Sequence, residues 1–312
     1  MTENGTQRIR LGLVGIGKIA RDQHLPALAA DGRFDLVATA SRNASVDGVP
    51  GHPDIAALIA GDHKLDAVSL CTPPEGRYEQ AVAAIDAGLH VMLEKPPAAT
   101  ISEIAALADR AEAKGVVLFT TWHSREAAGV EPAKAWLQGK QILAVRITWK
   151  EDIRRWHPGQ EWILAAGGFG VFDPGINALS IATKILPDPM LLQKAWMEVP
   201  EGRASPLAAE LEMRSGTAPV TVSLDFLQTG PQTWDIEIDT DAGTLRLGLG
   251  GSVLQLPGED EQKAPDQEYA RLYARFAELV AAGTSDVDIR PLQIVADAFM
   301  MAERRVTAPF AF

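Results

Sequence analysis

Cysteine is almost missing from the 312 residues: Cys71 stands alone, which excludes an internal disulfide and a cysteine-based metal cluster. It lies in the run Ala67-Val68-Ser69-Leu70-Cys71 and reads as a small buried hydrophobe. Positive charge is the next shortage. Against 41 Asp and Glu there are 29 Lys and Arg, a formal net charge of −12, and no basic block interleaved with aromatics appears. Such a chain is not built for nucleic acid or an anionic membrane. No hydrophobic run reaches membrane-spanning length, and Met1 to Arg10 is polar without an apolar signal region, so a cytoplasmic protein is expected. Internal repeats, low-complexity tracts and a long linker are missing too. What remains, 46% hydrophobic and 22% charged residues, is the profile of a globular protein long enough for two domains.

The first half alternates strand and helix signals. Ile9 to Val14 is a short apolar run, followed at once by Gly15-Ile16-Gly17-Lys18-Ile19-Ala20, a G-x-G-x-x-A pattern that opens a helical segment from Lys18. Gly15 permits the tight turn, Gly17 lets the backbone approach a pyrophosphate, and Ala20 lets helix and strand pack closely. The phosphates then meet the helix N-terminus around Lys18 and Ile19, with its unpaired N–H groups and partial positive charge. A second strand, Phe34 to Ala40, ends on Ser41-Arg42-Asn43. NAD-preferring sites place Asp or Glu there to accept from the ribose 2′-hydroxyl. Arg42 can instead hold a 2′-phosphate by charge-assisted bonds, with Ser41 adding another. NADP is the expected cofactor, with NAD also accepted; Arg42 stacked on the adenine of NAD is the alternative.

A helix over 54–60 and a strand over 67–71 follow, the latter stopped by Thr72-Pro73-Pro74. A helix over 78–87 closes at Gly88. The run His90-Val91-Met92-Leu93 then ends abruptly at Glu94-Lys95-Pro96-Pro97, which sets a lysine at the carboxyl edge of the sheet. Thr100-Ile101-Ser102-Glu103 makes a capping box for a helix reaching Lys114, and 116–120 is a further strand. This rhythm predicts a doubly wound parallel sheet, a Rossmann domain. Gly15–Gly17, Ser41–Arg42, Thr72–Pro74, Glu94–Lys95 and Thr121–His123 all fall at strand carboxyl ends, where such folds bind ligands. A lone lysine after a strand is ordinarily a solvated loop residue, but this convergence singles out Lys95. Glu94 either orients the turn or reaches the cofactor.

After His123 the pattern changes. A helix over 127–138 leads into a β-rich half with strands over 144–150, 191–199, 208–214, 220–226, 233–240, 244–249 and 253–256. Several alternate polar and apolar, as in Trp234-Asp235-Ile236-Glu237-Ile238, the mark of an antiparallel sheet with one wet face. Such an open face could serve as an oligomer interface. Helices over 266–282 and 290–305 finish the chain.

Two segments here look chemical. The stretch from Trp149 to Trp162, through Glu151, Trp156 and His157, is dense in charge and indole. Trp offers a flat surface to the C–H face of a sugar, while Glu and His bond to its hydroxyls; a loop with Trp anchors is the structural alternative. The second is Gly167-Gly168-Phe169-Gly170-Val171-Phe172-Asp173-Pro174-Gly175-Ile176-Asn177, a flexible glycine run leading into a helix over 173–185 with Pro174 in its first turn. Asp173 and Asn177 share one face of that helix. The plainer reading makes Asp173 its N-cap and Asn177 a buried polar residue.

GIGKIA at 15–20, QHLPAL at 23–28, CTPP at 71–74, GLHVMLEKPPA at 88–98 and GGFGVFDPGINALS at 167–180 resemble the Gfo/Idh/MocA oxidoreductase family over nearly the whole chain. SRN at 41–43, TWHSR at 121–125 and WKEDIRRWHPGQ at 149–160 look more narrowly like its sugar 1-dehydrogenases. The resemblance implies a Rossmann domain, residues 1–124, joined to an α/β domain, residues 125–312, with an open, mainly antiparallel sheet for substrate binding and oligomerisation. The last helix could pack back on the first domain. It also implies NAD(P)-dependent oxidation of an aldopyranose (L-arabinose, D-galactose or D-fucose) at C1 to the 1,4- or 1,5-lactone, in a homodimer or higher homo-oligomer. Lys95 matches the family's catalytic lysine and Asp173 its second-domain aspartate. Many members carry His four residues after that aspartate, where this chain has Asn177. Asn cannot act as a base near neutral pH, so proton removal falls on Lys95 or Asp173 while Asn177 orients the sugar. Glu151, Trp156, His157 and His123 are the implied sugar contacts, and Ser41 and Arg42 the implied hold on the adenosine phosphate; with Gly15, Gly17, Lys18, Ile19, Thr72, Pro73, Glu94 and Lys95 they make up the expected cofactor side, and no metal is expected. A cyclitol dehydrogenase of the same family and a non-catalytic NAD(P)-binding sugar sensor are the competing readings.

Overall fold

The computed structural model describes residues 8–312; most of the polar N-terminal stretch lies outside them. The chain divides into two compact units, one made of residues up to Thr121 with Tyr269–Ile289, the other of Trp122–Glu268 with Arg290–Phe312. The stretch that completes the first unit is thus carried by the helix Glu268–Ala282 and not by the last helix, Arg290–Met301.

The first unit is the expected doubly wound sheet. Its strands are β1 (Ile9–Val14), β2 (Phe34–Ala40), β3 (Gly51–His52), β4 (Ala67–Leu70), β5 (His90–Leu93) and β6 (Leu118–Thr120), in the order β3-β2-β1-β4-β5-β6. Every pairing is parallel. Parallel strands need crossovers, and among these are the helices Ile55–Ala60, Arg77–Asp86 and Ile101–Lys114. Local signals set them: Asp54 caps the first through Ala57 N–H at 2.8 Å, and Thr100 with Glu103 forms the capping box of the last. The order reverses between β1 and β4, the switch point at which such sheets bind ligands.

On this sheet the helix Glu268–Ala282 lays Tyr269, Leu272, Tyr273, Phe276 and Leu279, a stripe at helical spacing, against Phe34, Met92 and Phe119. Phe276 stacks on Phe34 and Phe119, each at 6.2 Å. Each such side chain contributes about 1.5–3 kcal/mol by leaving water.

The second unit is a nine-stranded sheet. In chain order the strands are β7 (Ile142–Lys150), β8 (Met190–Pro200), β9 (Ala208–Ser215), β10 (Ala218–Asp225), β11 (Thr233–Thr240), β12 (Gly243–Gly248), β13 (Val253–Gln255), β14 (Gln262–Lys263) and β15 (Glu303–Thr307). They lie in the order β14-β13-β12-β11-β7-β10-β9-β8-β15. β10 beside β7 and β15 beside β8 run parallel, and the other pairings are antiparallel. The helix Phe172–Ile185 packs on β7 and β11, meeting buried Val145, Ile147, Ile236 and Ile238. The alternate residues point the other way: Arg146 bridges to Glu237 and Asp239, and Arg246 to Asp235.

Two local expectations need correction. The helix expected over 290–305 ends at Met301, and Glu303–Thr307 is β15. This strand is almost wholly exposed and charged, so it lacks the apolar alternation that marks a half-buried strand. The helical segment expected from Lys18 is present, with a π-helical turn over Ala20–His24 before the α-helix Leu25–Ala30. The glycine run is not a flexible leader. A Cβ on Gly170, at φ +54, would lie 2.2 Å from the Pro206 carbonyl oxygen, and one on Gly168 would lie 2.3 Å from those of Trp162 and Ile163. These glycines admit close backbone packing.

Candidate functional site

In the first unit β1 delivers Gly15 to the turn at φ +89, where an added Cβ would come within 2.8 Å of Thr72 N. Only glycine tolerates both that conformation and that approach. Beside Gly17 the opposite holds: a Cβ there would meet no atom within 4 Å. The turn therefore leaves backbone open at the start of the helix, the arrangement a pyrophosphate needs. Ala20 is fully buried and packs with Leu13 and Ile16, while Lys18 and Ile19 are exposed and Lys18 pairs with Asp22. At the end of β2, Ser41 N–H donates to the His52 carbonyl at 2.9 Å, and Arg42 is exposed. Thr72 Oγ donates to Gln80 Oε1 at 2.7 Å, and Pro73 is exposed. A dinucleotide cradle fits these residues.

β5 ends in the most heavily bonded corner of this unit. Glu94 is 3% exposed. Its Oε1 accepts from Tyr269 Oη at 2.7 Å and from His24 Nε2 at 3.0 Å, and its Oε2 accepts from the Lys95 N–H at 2.9 Å. His24, fully buried, also bonds through Nδ1 to Tyr273 Oη at 2.8 Å. Burial opposes a charge on His24, but Cys71, Tyr273 and the bond to Glu94 outweigh it and hold the imidazole well above its usual range. For Tyr273, by contrast, burial is itself the main cause that raises the phenol. Lys95 itself is half-buried. Behind it lies Arg77, 2% exposed, whose guanidinium donates to the carbonyls of Thr72, Glu94 and Pro96. His24, Arg77, Tyr269 and Tyr273 were not among the residues singled out in the sequence. For Arg77 a signal existed, since a helix beginning right after T-P-P-E-G sets its first side chain near the strand ends.

In the second unit the cross-strand register places Trp234 of β11 opposite Trp149 of β7, and the indoles stack at 5.8 Å and 21°. Trp156 tilts against Trp234 at 5.1 Å. Glu151, 3% exposed, follows β7 and accepts from Trp234 Nε1 at 2.8 Å. His157 sits on the one-turn helix Ile153–Trp156 at its C-terminal side, edge-on to Phe226 at 5.5 Å. Its Nε2 stands 3.5 Å from Glu151 Oε1 and 3.9 Å from Asp173 Oδ2. Asp173 lies inside the first turn of its helix, whose N-cap is Val171, so it is not the cap. It is 4% exposed, and Asn177 follows half-buried one turn later. Glu151, Trp156, His157 and Asp173 thus come together as one cluster, two carboxylates and an imidazole against stacked indoles. Trp149 Nε1 is buried without a hydrogen-bond partner, an orphan costing about 1–3 kcal/mol that suits a polar ligand or water. Trp234, read in the sequence only as strand, is the missed member; its pairing with Trp149 was the available signal. His123, in the same unit, has Nδ1 2.6 Å from Glu268 Oε2. Among the described residues no group of three or more His, Cys, Asp or Glu has the geometry of a metal site, and no helix is long and apolar enough to cross a membrane.

Residues 9–122 match the family model described as "Oxidoreductase family, NAD-binding Rossmann fold". The chain is similar to the galactose 1-dehydrogenase of Pseudomonas fluorescens, 42% identical over 96% of this chain and 97% of that one. It is 30% identical to "D-xylose 1-dehydrogenase (NADP(+)) 2" of Haloferax volcanii over 87% of this chain and 89% of that one. Among solved structures, D-galactose-1-dehydrogenase from Rhizobium etli superimposes with a TM-score of 0.91 at 51% identity, covering 97% of this chain and 98% of that one.

Proposed function

The chain belongs to the Gfo/Idh/MocA oxidoreductase family, and from that membership we propose that it oxidises an aldopyranose at C1 to the lactone, with NAD(P) as cofactor. The observation that carries the reading is similarity to a galactose 1-dehydrogenase along almost the full length of both chains. The cluster in the second unit supports it. Stacked indoles suit the apolar face of a pyranose, and Glu151, His157 and Asp173 offer acceptors and a donor to its hydroxyls.

A nicotinamide held there would supply the hydride acceptor for the carbon being oxidised. The chain's own residues do the rest. Gly15 and Gly17 admit the pyrophosphate, with Lys18 and Ile19 at the helix start and Thr72 and Pro73 beside the turn. Ser41 and Arg42 hold a 2′-phosphate, which makes NADP the preferred form with NAD accepted. Removal of the proton leaving O1 falls to Lys95 or Asp173, help of a kind worth about 10²–10⁴-fold in rate. Asn177, unable to take a proton, orients the sugar, and Trp156 and His123 complete its contacts. We place the enzyme in the cytoplasm, as a homo-oligomer joined through the open face of the nine-stranded sheet. D-Galactose, L-arabinose and D-fucose share ring configuration and differ at C5, where an added group costs little unless the site fills that space, so all three are substrates.

The test is kcat/KM for those three sugars with NADP and with NAD. The reading expects turnover of each and a higher kcat/KM with NADP. Failure to oxidise any aldose would refute the activity, and preference for NAD would refute the role of Arg42.

A further inference from the structure

We propose that Arg77 is the positioning residue of Lys95, an inference that rests on Lys95 being the catalytic lysine of the reading above. Arg77 opens the helix Arg77–Asp86, and its side chain is the largest fully buried one among the described residues. One guanidinium nitrogen, Nη1, donates to the carbonyl oxygens of both Glu94 and Pro96, the residues on either side of Lys95. The other, Nη2, donates to the carbonyl of Thr72, at the end of β4. The Lys95 N–H is taken by Glu94 Oε2 at 2.9 Å, and that carboxylate is itself fixed by Tyr269 and His24. The peptide group preceding Lys95 is therefore held at both its N–H and its C=O, and the next available carbonyl after Lys95 is held as well. The backbone from which the lysine side chain leaves is thus held on both sides by these bonds.

Arginine is the residue for this task. Its planar fork carries donors in fixed directions and keeps its charge when buried. A lysine at 77 would bring one compact ammonium, able to reach one or two of the three carbonyls. Thr72 and Lys95 follow neighbouring strands, so the same guanidinium also fixes the spacing between the cofactor turn and the lysine. Displacements of about 1 Å in a reacting group, caused from outside the reacting atoms, can cost about 100-fold in rate. A purely structural Arg77 predicts something else: lost stability, with normal turnover per folded molecule.

The experiment compares Arg77→Lys, Arg77→Ala and Lys95→Ala in the full chain, with D-galactose and NADP at saturation. Arg77→Lys is expected to lose about tenfold in kcat and Arg77→Ala about 100-fold, with sugar KM and cofactor affinity within about threefold of wild type. Added guanidinium ion should recover part of the kcat of Arg77→Ala without changing its melting temperature, and recover nothing in Lys95→Ala. If Arg77→Ala does not fold, Arg77→Lys carries the test. Normal kcat per folded molecule in the Arg77 variants, or a loss confined to KM, overturns the proposal. Turnover surviving in Lys95→Ala would instead overturn the catalytic reading, so the two failures are distinct.

Discussion

The two units handle buried polar groups in opposite ways. In the first, the buried charged groups are tied to the backbone as well as to side chains: Glu94 accepts a main-chain N–H beside Tyr269 and His24, and Arg77 donates to three main-chain carbonyls. In the second, polar side chains face one another over a floor of indoles, with His157 3.5 Å from Glu151 and 3.9 Å from Asp173. A network bonded to the backbone fixes a position, because moving any member breaks strand ends. A cluster of side chains can instead reorient to meet several hydroxyls. The comparison assigns rigidity to the lysine and adaptability to the sugar cluster, and specificity changes among related sugars should arise in the second unit alone.

The largest effect should come from the rigid side. Lys95→Ala is expected to lower kcat by about 10²–10⁴-fold while cofactor binding, followed by fluorescence of the reduced nucleotide, stays unchanged. On the adaptable side, Trp234→Phe keeps an aromatic face but deletes the 2.8 Å bond to buried Glu151. A hydrogen bond to a charged group is worth about 1.5–3 kcal/mol, so kcat/KM for sugar should fall at least about tenfold, with cofactor KM unmoved. Arg42→Ala should raise the KM for NADP about tenfold and leave that for NAD alone, since one exposed charge-assisted contact is at stake; equal effects on both cofactors would place Arg42 on the adenine.

A smaller effect separates the units by pH. Burial opposes charge on His24, yet Cys71, Tyr273 and Glu94 raise it above its ordinary range. A group raised on folding stabilises fully below its unfolded pKa of about 6.5 and loses that contribution as pH rises through the folded value. The melting temperature of wild type should therefore exceed that of His24→Gln most below about pH 6.5, and the gap should narrow as pH increases. The smallest effect is expected on the wet face. Hydrogen bonds from Arg146 and then Thr244 hold the Asp239 carboxyl at about 2, so its contribution persists above the ordinary carboxylate range and is lost as pH falls towards 2. Surface pairs contribute about 0–1 kcal/mol, and Asp239→Asn should shift the melting temperature at neutral pH by no more than a few degrees.

What the sequence made legible was whatever a short window encodes. The turn at Gly15, the capping box at Thr100 and Glu103, and the strand at Phe34–Ala40 stand where local pattern put them. The expected fold class, a Rossmann sheet with a mainly antiparallel second sheet, is the one observed. Pairings between distant segments were not legible. His24 meets Glu94 70 residues on and Tyr273 249 residues on, and nothing in either neighbourhood announces the other. β15 was hidden for a different reason: an exposed edge strand carries no apolar alternation. The cluster of Glu151, Trp156 and His157 was visible because all three share one stretch of chain, whereas Trp234 reached it only through the register of β11 on β7.

The central claim is oxidation at C1, and the most direct measurement is the fate of the C1 hydrogen. With D-galactose deuterated at C1, the account predicts deuterium in the reduced nicotinamide, a slowed hydride step and a galactonolactone product free of the label. Reduced cofactor carrying no deuterium, with the label retained in the oxidised sugar, would contradict it and move the reaction to another carbon.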